Sequence, residues 1–152
     1  MKTEIKSHRN GTSVVPSAMI DEIKAVFTSI IRPIEKYVIS EIRNELISEF
    51  QRLGWSDKIY LDRISKISIT GAKNKIGICV QTGNVSRVYA DLLKLQALFL
   101  QDEIKGGIIV LPKAECGKSY ASNAASMERL SRELEIFNQV ITMPLAIIGF
   151  EE

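Results

Sequence analysis

The stretch Ile69-Thr70-Gly71-Ala72-Lys73-Asn74-Lys75-Ile76-Gly77-Ile78-Cys79-Val80-Gln81 decides how this chain is read. Its second half alternates, so Ile76, Ile78 and Val80 fall on one face of a strand and Gly77, Cys79 and Gln81 on the other, because successive strand side chains point to opposite faces. Lys73-Asn74-Lys75 is a polar turn, and Thr70 ends the preceding strand within hairpin reach of Cys79. Thr70, Cys79 and Gln81 therefore converge. On pattern alone Cys79 is a small buried hydrophobe and Gln81 caps a sheet end.

Working outward toward the N-terminus, Ile64, Ile67 and Ile69 form a second strand and Ile59 with Leu61 a first,. Trp55 anchors the core after Gly54. Upstream, the period changes to that of helices. Ser17 caps a helix carrying Ile20, Ile23, Val26, Phe27 and Ile30 that stops near Arg32, before Pro33. Pro33 opens a second, with Ile34, Val38, Ile42, Leu46 and Phe50 at four-residue steps and Gly54 at its end. Residues 1–16 have no sustained period and are expected as a flexible N-terminus, leaving 17–152 as a single domain. Toward the C-terminus, Ser86 to Gln101 is a strongly apolar helix, and the unbroken apolar run Gly106 to Pro112 is a strand covered on both faces. Cys116 to Tyr120 is loop. A helix opening at Ser122 or Asn123 turns Met127, Leu130, Leu134 and Phe137 to the core, and Pro144 to Phe150 is a last short strand. The chain is thus α/β, in the order α-α-β-β-β-α-β-α-β.

Composition narrows the function. Across 152 residues, 45% are hydrophobic and 25% charged, with 4 Pro and 9 Gly, which suits one globular domain. A net charge of +2, from 20 basic and 18 acidic residues, gives no bulk attraction to an anionic partner, so any nucleic-acid surface must be local. Nothing resembles a signal peptide or a membrane span, and two cysteines with no need of a staple point to a reduced, cytoplasmic protein. His8 together with the separated Cys79 and Cys116 supplies too few soft ligands for zinc. No metal ligands are assigned.

The quoted hairpin resembles the catalytic hairpin of BglII-type restriction endonucleases, and Gln81-Thr82-Gly83-Asn84-Val85-Ser86 is also similar to BamHI. The similarity continues through Arg87-Val88-Tyr89-Ala90-Asp91-Leu92, Gly107 to Pro112, Tyr120-Ala121-Ser122-Asn123 and Met143 to Gly149. It implies a restriction-endonuclease-like core of the PD-(D/E)xK type, a mixed central sheet flanked by helices. In that family an Asp ending the second strand and Glu-x-Gln or Glu-x-Glu on the third hold magnesium and position the attacking water. The matching positions are Thr70, Cys79 and Gln81, of which only Gln81 keeps the pattern. A neutral hydroxyl and a soft thiol are poor magnesium ligands, so the resemblance implies a degenerate nuclease site. No cofactor is expected, or magnesium if the chain is active.

Asp62 is the possible substitute acid, in an alternative register with the Asp-to-Glu spacing of the BamHI pattern. Glu35, Glu41, Glu45 and Glu49 of the second helix are further candidates. For double-stranded DNA, the expected partner, the contact candidates are Lys73, Lys75, Lys113, Lys118, Tyr120, Ser122 and Asn123, grouped at one end of the sheet. Lysines position phosphates, and Asn or Ser reads base edges. A homodimer through the N-terminal helices is expected, since palindromic sites are read by symmetric proteins. The leading expectation is a DNA-binding protein with a degenerate nuclease site. The alternatives are an active magnesium-dependent type II endonuclease completed by Asp62 or a partner-supplied acid, and a non-catalytic protein-binding subunit.

Overall fold

The apolar run Gly106–Pro112 forms a strand buried along its whole length, as expected of a strand with helices on both faces. The computed structural model describes residues 1–31, 33–34 and 38–152. Along the chain lie β1 (Lys2–His8), α1 (Gly11–Val14), α2 (Ser17–Ser29), α3 (Ile39–Arg52), β2 (Ile59–Asp62), β3 (Ile67–Ile69), β4 (Gly71–Lys73) and β5 (Ile76–Val80). They are followed by α4 (Val85–Leu100), β6 (Gly106–Pro112), α5 (Ala114–Tyr120), α6 (Met127–Ile136) and β7 (Leu145–Glu151). A five-stranded mixed sheet has the order β1-β7-β6-β5-β4. β5, β6 and β7 run parallel, and the two edge strands are antiparallel to their neighbours. β2 and β3 form a separate hairpin.

Alternation along β5 separates two cores. Ile76, Ile78 and Val80 join Ile23 and Phe27 of α2 and Ile42 and Leu46 of α3. Cys79 lies on the other face with Val88, Leu92 and Leu95 of α4 and Leu130 of α6. Trp55 is buried beside Phe50, ring centroids 6.5 Å apart.

Several expectations change. Residues 1–16 are not a flexible lead-in: β1 pairs with β7 from Lys2↔Glu151 to His8↔Leu145, and His8 Nε2 lies 2.7 Å from the Ile141 carbonyl oxygen. An edge strand is held by backbone pairing and needs little apolar sequence, so its periodicity is faint. Ser17 is the first residue of α2, whose N-cap is Pro16 with no side-chain cap. α3 begins at Ile39 rather than Pro33, and Glu35 lies outside the described residues. The Lys73-Asn74-Lys75 turn is preceded by β4 and holds Asn74 and Lys75 at φ 49° and 62°, the left-handed pair of a tight hairpin. Cys116 to Tyr120 belongs to α5 instead of a loop. The last helix starts at Met127, capped by Ser126, and Phe137 is exposed rather than core. Among the described residues no helix is long and apolar enough to cross a membrane.

Candidate functional site

The C-terminal end of β5 opens into a cleft of about 520 Å³. Gln81 is pinned there by its backbone N–H, which donates to the Val110 carbonyl at 2.8 Å. Its side-chain Oε1 accepts from the Gly83 N–H at 2.8 Å, and its Nε2 donates to Asp91 Oδ2 at 2.6 Å. Asp91 Oδ1 accepts in turn from Lys94 Nζ at 3.0 Å. Both Gln81 and Asp91 are buried, so each needs these partners. Thr70 stands on the opposite rim, donating its backbone N–H to the Ile78 carbonyl and accepting the Val80 N–H on Oγ1, both at 3.1 Å. Arg43 reaches across from α3, and its Nε donates to the Val80 carbonyl at 3.1 Å. Lys58 and Arg87 complete the cationic wall.

The wall beside Gln81 is built by two loops that bind each other. Val85 N–H donates to the Asn123 carbonyl at 3.1 Å and Ala125 N–H to the Gly83 carbonyl at 2.9 Å. Asn84 caps α4 by accepting the Arg87 N–H at 3.3 Å. Asn123 and Ser122, both exposed, are thereby carried to the Gly83–Val85 rim.

Other anticipated residues are placed elsewhere. Cys79 is buried under α4 and does not line the cleft; burial first, and the Asp91 charge next, push its thiol pKa well up. Asp62 closes the β2–β3 turn by accepting the Ser65 N–H at 2.7 Å, the bond that chiefly lowers its pKa, and it too lies outside the cleft lining. Glu49 pairs with Arg52 at 2.8 Å. Neither it nor Glu41 nor Glu45 is among the described lining residues.

The lysines do not group as the sequence suggests. Lys73 and Lys75 flank the entry to β5, the end away from Gln81, where Lys73 Nζ donates to Glu22 at 2.8 Å and to the Leu53 carbonyl at 2.6 Å. Lys75 Nζ donates to the Asp102 carbonyl at 3.1 Å. Lys113 lies between Glu4 and Glu151 at 3.0 and 3.1 Å, and Lys118 pairs with Glu115 at 2.8 Å. Tyr120 is buried in the core, so its ring offers no DNA surface. The residues that do line the cleft, Arg43, Lys58, Arg87, Asp91 and Lys94, were not singled out from sequence. One signal existed: Asp91 falls on the same helical stripe as Val88, Leu92 and Leu95, where an acid needs a buried partner.

A family model described as restriction endonuclease BglII/BglIII matches residues 3–150. The chain belongs to this family. Its fold is similar to that in "Crystal structure of restriction endonuclease BGLII complexed with DNA 16-mer", with a TM-score of 0.80 at 14% identity, covering 100% of this chain and 79% of that one. "Crystal structure of free BglII" gives a TM-score of 0.72 at 15% identity, with 100% and 80% covered. No curated protein matches. Magnesium asks for hard anionic oxygens in near-octahedral array. Asp91 is the one carboxylate among the described lining residues, and both its oxygens are engaged by Gln81 and Lys94. The Thr70 hydroxyl accepts a backbone N–H and the Cys79 thiol faces the core. These residues do not fit the ion, and among the described residues no three His, Cys, Asp or Glu side chains gather as a metal site.

Proposed function

We propose that this member of the BglII/BglIII family binds double-stranded DNA and does not cut it. The observation that carries this reading is the ion pair of Asp91 with Lys94, in a cleft where Thr70 supplies no carboxylate and from which the Cys79 thiol is turned away into the core. A magnesium-activated water needs anionic ligands to hold the ion that lowers its pKa, and here the one acid among the described lining residues is paired with an ammonium group. Asn123 and Ser122 at the rim have the hydrogen-bonding capacity to read base edges, and the cations beside them to position phosphates. Duplex binding by fluorescence anisotropy, alongside plasmid cleavage over a magnesium and manganese titration, tests the reading. The expected result is binding that weakens steeply with salt and no nicking at any metal concentration. Reproducible cutting that disappears in Asp91→Asn or Asp62→Ala would overturn it and establish the active-endonuclease alternative. The cysteines are both unpaired, which supports a reducing, cytoplasmic setting.

The protein acts as a homodimer in this proposal, but not through its N-terminal helices. The apolar stripe of α2 is consumed by the core, which also removes the support for a subunit that binds a protein partner through that helix. The exposed large apolar side chains include Leu93 and Leu100 on α4 and Ile136, Phe137 and Val140 at the end of α6. Tyr89 and Phe137 meet edge-on at 6.1 Å and join the two helices, so these side chains extend from one shared face suited to a second copy.

A further inference from the structure

The cleft carries the wrong charge for a metal and the right one for the anion a metal would have held. A divalent-cation site is negative until its ion arrives. Among the described residues this one is lined by Arg43, Lys58, Arg87 and Lys94 against Asp91 alone. Lys94 is taken by Asp91 at 3.0 Å, so the surplus rests on Arg43, Lys58 and Arg87. Arg87 is held over the cleft floor: a Cβ on Gly83 would stand 2.9 Å from its Cδ, 3.4 Å from its Nη1 and 2.8 Å from Gln81 Oε1. The guanidinium therefore lies across Gly83 beside the Gln81 amide, in space that only glycine leaves open. Arg43 comes from the facing helix, anchored through Nε, and a guanidinium held at Nε still presents its terminal amines. Among the described residues no carboxylate pairs with Lys58 or Arg87.

Guanidinium groups match the oxygens of a phosphate and stay charged at any pH the fold survives. We propose that the cleft binds a phosphate oxyanion of a nucleic-acid backbone directly on Arg43, Arg87 and Lys58, with no divalent cation between protein and phosphate. The anion site stands on the cleft alone; its assignment to nucleic acid rests on the DNA-binding reading above. Affinity should then be indifferent to chelators, and magnesium should weaken it by competing for the phosphate.

Two measurements on the whole chain, both in EDTA, test this. In the first, inorganic pyrophosphate is titrated into isotopically labelled protein while the Gly83 amide and the Arg87 and Arg43 Nε–H signals are followed. Shifts centred on Gly83 and Arg87 are expected, abolished by Arg87→Gln and weakened about tenfold by Lys58→Gln, the size of one charge-assisted hydrogen bond. Both side chains are exposed, and circular dichroism verifies that the variants fold. In the second, duplex DNA is titrated with and without magnesium. Binding in EDTA at least as tight as in magnesium, with a loss of about tenfold or more in Arg87→Gln and partial recovery in Arg87→Lys, is the expected result. A duplex affinity that rises tenfold on adding magnesium, or pyrophosphate shifts that avoid the cleft, overturns the proposal. Duplex bound equally by wild type and Arg87→Gln sinks the cleft and leaves the DNA-binding reading standing. Pyrophosphate bound at Gly83 and Arg87 with no duplex binding under any condition does the reverse.

Discussion

Gln81 keeps its place because three hydrogen bonds define it, and the partner most worth removing is Asp91. Replacing Asp91 with Ala strands the Gln81 Nε2–H in a buried setting, while Lys94 retains some access to water. An unsatisfied buried donor costs about 1–3 kcal/mol, so Asp91→Ala should lower the unfolding free energy by that amount, read as a lower urea midpoint at unchanged slope. Asp91→Asn, which keeps an acceptor oxygen, should lose less than half as much. Equal losses in the two variants would mean that charge rather than acceptance matters. The thiols make a second residue-level prediction. Burial, aided by the charges of Glu152 and Glu151, pushes Cys116 up to about 12. A raised pKa keeps the thiol neutral and unreactive below it. Alkylation of Cys116 in the native protein should therefore climb tenfold per pH unit through pH 7–10, where an ordinary thiol levels off near its pKa. A plateau near pH 9 would contradict the burial argument. Gln81 and Thr70 were legible in sequence because a strand and its hairpin fix spacing. Asp91 was not, since its pairing with Gln81 spans a turn and two helical turns whose geometry no local pattern encodes.

The elements most readily seen in the sequence were those that bury both faces. β6 emerged from its apolar run with the boundaries it has in the fold, and the stripe of α4 was found to within a residue. β1 and α5 escaped for opposite physical reasons. β1 is an edge strand whose bonds are backbone bonds and whose alternate residues face solvent. α5 is short and carries Gly117, tightly packed against the Ala124 Cβ, so neither propensity nor periodicity announces it. The same logic predicts what β1 does. It covers the free edge of β7, a strand buried from Leu145 to Phe150. Deleting residues 1–9 would expose that apolar edge to other chains. The truncated protein should aggregate on concentration and lose cooperative unfolding. A soluble monomer with an unchanged denaturation midpoint would show that β1 is dispensable.

At the scale of the whole molecule the question is what covers the α4–α6 face, because isolated exposed apolar residues are ordinary but this group shares one face. Leu93 is 61% exposed and Ile136 74%, apolar area that a second copy would take out of water in the proposed homodimer. A stable homodimer buries on the order of 800 Å² per partner, which such an interface would have to draw from α4, α6 and the segment after α6 that carries Val140. The two-fold pairing of this face would set two clefts in fixed relation, which is what recognition of a symmetric duplex site requires. Leu93→Glu and Ile136→Glu would put carboxylates of one sign from both copies into such an apolar seam, where neither finds a partner. Sedimentation should show a dimer for the wild type and a monomer for the double variant, with duplex affinity lowered about a hundredfold or more as the second half-site is lost. Cleft variants such as Arg87→Gln should leave the dimer intact. If the double variant sediments as the wild type does, the face is not the interface, and a monomeric wild type that binds palindromic duplex at full affinity would remove the need for one.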